Sequence, residues 1–150
     1  MNTTFTAANI IWIKNVNDPN SDSSIVYAEM EPSDNFVLHF PERNKNSLLK
    51  PPSNTELILL FQNIDGEKYF THIVTPIHDA LIKTESSEHP CGRVVKVVAK
   101  KRILVSDTLL NPNTGGVVMG DVVQIANLEI IKKEGSLHSI QDNIWNKFHE

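Results

Sequence analysis

Leu57-Ile58-Leu59-Leu60-Phe61-Gln62, the turn Asp65-Gly66, and Lys68-Tyr69-Phe70-Thr71-His72-Ile73-Val74-Thr75 before Pro76 decide how this chain folds. Asp-Gly between two strand-like runs is a strong hairpin signal, because the tight turn needs backbone in a region that glycine enters without strain. Residues 57–61 show no polar alternation and read as a central strand covered on both faces. On the return strand, strict alternation puts Tyr69, Thr71, Ile73 and Thr75 on one face and Phe70, His72 and Val74 on the other. A third segment, Gly92-Arg93-Val94-Val95-Lys96-Val97-Val98-Ala99-Lys100-Lys101-Arg102-Ile103-Leu104-Val105, follows a polar break. Alternation there gives one mostly apolar face (Arg93, Val95, Val97, Ala99) and one mixing valine with lysine.

Upstream, residues 9–14 are apolar and β-branched and predict a first strand buried on both faces. Residues 15–24 are turn chemistry, and 25–30 predict a second strand, stopped at Pro32. Phe36, Leu38 and Phe40 then recur with period two, the mark of a strand with one apolar face. Residues 41–55 predict a long loop around Pro51-Pro52, with one helical turn near 47–49.

In the connector at 76–92, Asp79 is placed to cap a helical turn through 81–83. Beyond the basic strand, the sequence predicts a short turn at 106–108, a loop at 111–116 and a strand at 117–119. Residues 122–126 and 128–131 make one bent strand or two short ones. Near the end, Ser139 and Asp142 have capping-box spacing, and Ile140, Ile144, Trp145 and Phe148 follow at helical intervals. A helix of that length is marginal alone in water, so it must dock on the sheet or on a partner.

At 150 residues, 40% apolar and 21% charged, the chain has the composition of one soluble globular domain spanning 1–150. Its longest apolar runs are far short of a bilayer span, and no basic region followed by an apolar stretch opens it. Cys91 is the only cysteine, which excludes an intrachain disulfide. A cytoplasmic setting without membrane association is therefore expected.

The ligand-type residues His72, His78, Asp79, His89 and Cys91 lack the spacing of a zinc finger, and no His-Glu-x-x-His or Pro-Cys-x-x-Cys occurs. No bound metal or cofactor is expected. Cys91 with His89 or His72 lacks an evident third orienting group, and Gly115-Gly116 and Gly120 form no phosphate loop. The sequence gives no motif for an enzyme.

The net charge of −4 is unevenly spread. Arg93, Lys96, Lys100, Lys101 and Arg102 fall within ten positions that hold no acid. Such a strip serves either as a nucleic-acid contact or as lysine protection of a strand edge. The hydroxyls of the 71–75 segment have two readings as well. Either they bond neighbouring backbone, or with His72 and nearby rings they line a pocket for a flat polar ligand.

Ile11-Trp12-Ile13, the 57–62 and 69–74 hairpin, the basic strand at 92–105, and Gly120-Asp121 before Val122-Val123 together resemble the PUA-like superfamily, with its EVE, ASCH and YTH branches. Asn54-Thr55-Glu56 stands where those families usually carry Gly-Asp. The resemblance implies a mostly β, α+β fold: a small barrel with short helical turns and a C-terminal amphipathic helix. It implies a non-enzymatic nucleic-acid-binding module recognising a modified base in a barrel pocket. Trp12, Tyr69, Thr71 and His72 would be the pocket candidates. Arg93, Lys96, Lys100, Lys101 and Arg102 would hold phosphates of RNA or DNA. The alternative is a protein-interaction domain that docks through the C-terminal helix or a strand edge.

Overall fold

The computed structural model describes residues 5–16, 29–40, 51–64, 66–83, 91–110, 122–127 and 137–150. Within them lie strands β1 (Ile10–Asn15), β2 (Asn35–Phe40), β3 (Leu57–Ile64), β4 (Glu67–Pro76), β5 (Ile82–Lys83), β6 (Cys91–Leu104) and β7 (Val122–Gln124), and helix α1 (Leu137–Phe148). The sheet runs β2-β6-β4-β3-β1-β7, with β5 alongside β6. β3 and β4 form the expected hairpin, whose turn holds Gly66 at φ +84°. β6 pairs antiparallel with β4, and β1 lies parallel to β3, so the sheet is mixed. The fold is mostly β with one C-terminal helix, and no pairing joins β2 to β7 among the described residues.

Four irregularities in the ladders decide which way the side chains point. Thr71 is an extra residue on β4 relative to β3, since Leu60 pairs with His72 and Phe61 with Phe70. Ile11 is extra on β1, Val98 on β6, and β6 gains a further residue at 101–102 opposite Thr71. A bulge shifts the alternation by one residue, bends the strand and increases its twist. Strict alternation therefore fails on β4: Phe70 and Ile73 share one core, whereas His72 lies on the opposite face with Val74. It fails on β6 as well, where Val97 and Ala99 enter different cores.

Each face of the sheet has its own core. The first holds Ile10, Ile13, Leu57, Leu59, Phe61, Phe70, Ile73 and Ile103 under Ile140, Ile144 and Phe148 of α1. Each of those three helix side chains contributes about 1.5–3 kcal/mol by burial, which keeps so short a helix folded. Gln141 Nε2 ties the helix to β1 by donating to the Ile10 carbonyl at 2.8 Å. The second core collects Trp12, Phe36, Leu38, Ile58, Leu60, Val74, Val95 and Val97. On that side the rings of Phe36 and His72 stand 6.4 Å apart although β6 separates their strands. Two strand spacings span about 9.5 Å in a flat sheet, so side chains converge there as over a concave face.

Several local expectations need correction. α1 starts at Leu137, so Ser139 and Asp142 lie inside the helix and do not cap it. Residues 82–83 form β5 and pair with Gly92 and Cys91, which replaces the helical turn expected after Asp79. Glu29 and Met30 lie in a turn and its exit, not in a strand. Residues 125–127 form a 3-10 turn after β7. The strands expected at 25–28, 117–119 and 128–131 and the helical turn at 47–49 lie outside the described residues.

Candidate functional site

Three of the four pocket candidates lie inside the sheet. Trp12 is 5% exposed, and its indole Nε1 donates to Glu56 Oε1 at 2.7 Å. The bulge at Thr71 brings the Thr71 hydroxyl and the His72 ring together, with Thr71 Oγ1 at 2.8 Å from His72 Nδ1. Gln62 Nε2 donates to the same Oγ1 at 2.8 Å. Thr75 Oγ1 donates to the Glu56 carbonyl at 3.0 Å. These polar groups bond one another and the backbone, which is what burial demands of them. Trp12, Thr71 and His72 thus belong to the buried interior of the second face. Gln62 and the buried Lys14 belong to the same face, and sequence reasoning missed both. Lys14 carried a signal, being the one charged residue in an apolar strand.

Tyr69 is placed differently. It is half-buried at the far end of β4, with the Arg102 guanidinium carbon 4.3 Å above its ring centroid. That contact is a cation–π pair, worth roughly 0.5–1 kcal/mol at an exposed site. Both residues line an open hollow of about 310 Å³ with Lys101, Ile103, Leu104, Asp107, Lys147 and Glu150. The β6 bulge at 101–102 delivers the two cations to this end, and the last turn of α1 brings Lys147. Lys101 Nζ donates to the Glu150 carbonyl at 3.2 Å and braces the helix end against β6.

The bulges scatter the basic strip. Arg93 is 1% exposed and clamps two loops, its Nε donating to the His78 carbonyl at 3.1 Å and Nη1 to the Pro51 carbonyl. Burial lowers the pKa of this guanidinium from its usual value, and the nearby Asp79 carboxylate opposes the shift. Its expected phosphate role is corrected accordingly: Arg93 is a buried structural cation. Lys100 pairs with Glu31 at 2.9 Å near the start of β2. Lys96 is exposed near the middle of the strand. Only Lys101 and Arg102 of the five reach the hollow, where Lys147 joins them.

Lys147 and Glu150 lie more than 40 residues beyond β6, and Asp107 in the 3-10 turn directly after it, so no single local pattern announced the three together. Among the described residues no three histidine, cysteine, aspartate or glutamate side chains are grouped as a metal site would require. No helix among them is long and apolar enough to cross a membrane. The arrangement suits an anionic ligand that also presents a flat or apolar surface. No family model, curated protein or solved structure matches the chain.

Proposed function

We propose that the protein is a non-enzymatic nucleic-acid-binding module whose contact surface is the hollow at the β6–α1 end. One observation carries this reading: Lys101, Arg102 and Lys147, from two elements far apart in the sequence, converge on one concave site beside Tyr69. Convergent cations neutralise phosphates and release counterions, which gives affinity without sequence preference. The polar groups of Trp12, Thr71 and His72 already have partners within the sheet, so we place the proposed contact at the rim. The rival reading, docking of a protein through the C-terminal helix, has less support. Ile140, Ile144 and Phe148 are packed on the protein's own sheet.

Fluorescence anisotropy with labelled RNA and DNA strands over a salt series tests the proposal. Three phosphate contacts give a log–log salt slope of about −2 on single strands. Reversing Lys101, Arg102 and Lys147 to glutamate flattens that slope and weakens binding at least about tenfold. Wild-type protein that binds no strand at low salt overturns the proposal.

A further inference from the structure

We infer that the Tyr69 hollow takes one unpaired nucleotide, its base stacked on the phenol ring where Arg102 now rests, so that single strands are preferred to duplex. This rests on the nucleic-acid reading above and adds a ligand form and a contact that phosphate binding does not require. Three features carry it. First, the hollow, at about 310 Å³, lies at the lower end of the volumes seen for small-ligand clefts, room for one nucleotide-sized group and not a stacked run. Second, its lining divides by chemistry: Tyr69, Ile103 and Leu104 supply a ring and aliphatic surface, and Lys101, Arg102 and Lys147 supply cations around them. A phosphate alone has no use for the first set, and an apolar ligand none for the second. Third, Asp107 and Glu150 stand on the same lining. Carboxylates repel phosphate but accept hydrogen bonds from N–H donors on base edges, thymine N3–H among them.

Arg102 holds the stacking position in the free protein. Its guanidinium sits over the ring at 4.3 Å, and the side chain is otherwise exposed. A base that takes over the ring face displaces Arg102 only sideways, onto the phosphate of the same nucleotide, so the cation keeps an electrostatic partner. A base in a duplex is stacked on its neighbours and cannot enter a recess of this size without leaving the helix.

The test compares Tyr69→Leu and Tyr69→Phe with wild type on three probes: an oligothymidine strand, an abasic strand of equal length, and a duplex. Wild type is expected to bind oligothymidine more tightly than either other probe. Tyr69→Leu is expected to lose about tenfold on oligothymidine, the effect of removing one stacked base, with its abasic affinity and salt slope unchanged. Tyr69→Phe retains wild-type binding. Unchanged abasic binding shows that Tyr69→Leu is folded, and the wild-type preference for oligothymidine over the abasic strand tests the stacking independently of any variant. Equal affinity of wild type for all three probes overturns the inference while leaving phosphate binding in place. No binding to any probe overturns both.

Discussion

Replacing Arg93 by methionine separates a structural cation from a phosphate contact. The side chain is 1% exposed and donates to the His78 and Pro51 carbonyls. Hydrogen bonds from a charged donor contribute about 1.5–3 kcal/mol each in net terms. Two effects reduce the loss: His78 is exposed, so water can reach its vicinity, and methionine removes the penalty of holding a cation out of solvent.

A net destabilisation of about 2 kcal/mol follows, which lowers the melting temperature of a domain this size by roughly 4–8 °C. The clamp also holds Pro51 beside the turn in which the Asn54 amide donates to the Pro76 carbonyl at 2.8 Å. Hydrogen exchange at the Asn54 amide should therefore quicken more than exchange in β3. The lowered pKa fixes the pH behaviour. A base whose folded pKa lies below its unfolded value binds fewer protons when folded, so this contribution is unfavourable at every pH below the folded pKa. It is relieved only as pH rises towards the guanidinium range. The stability difference between wild type and Arg93→Met should accordingly stay flat from weakly acidic to weakly basic pH. An unchanged melting temperature, or a loss of oligonucleotide affinity at constant stability, would refute the structural role.

Gly66→Ala should destabilise by about 1 kcal/mol, read as a lower urea midpoint at constant slope, because φ is +84° there while no atom lies where the new methyl would go. Phe148→Ala should cost about 3–5 kcal/mol and unfold sheet and helix in one transition, since the ring belongs to the core shared by α1 and the sheet. Separate unfolding of the helix would refute that shared core. Lys100→Met should change stability by less than about 1 kcal/mol, and less still in high salt, because its Glu31 partner is 65% exposed. A larger effect in a salt series would assign Lys100 a further role.

The parts of the fold legible in the sequence are those fixed by local chemistry. Asp65-Gly66 marked the hairpin, the unbroken apolar run marked β3 as covered on both faces, and Ile140, Ile144 and Phe148 marked the buried stripe of α1. What was not legible depended on register. Nothing in Phe70-Thr71-His72-Ile73 shows that Thr71 is the extra residue, because that is set by how β3 and β6 pair with β4. His72 and Thr71 consequently looked like opposite faces and proved to be hydrogen-bonded neighbours. The basic strip misled because closeness in sequence is not a shared surface: alternation alone puts Arg93 and Lys101 on one face and Arg102 on the other. In the folded sheet Arg93 is buried under the loops that hold Pro51 and His78, and the other two reach the end of α1. Lys147 could be assigned to the hollow only once α1 was docked.

The extra residues on β1, β4 and β6 act on the hydrophobic pattern as a frameshift acts on codons. β1, β4 and β6 are read in one phase up to Ile11, Thr71 and Val98 and in the opposite phase after them, whereas Ala99 and Ile103 keep one phase across 101–102, which faces Thr71 in the β4–β6 ladder. A two-residue period fitted along the whole of β6 averages the two phases and hides both of its sides. Fitted separately on either side of Val98, the same residues sort cleanly, with Val95 and Val97 in one core and Ala99 in the other.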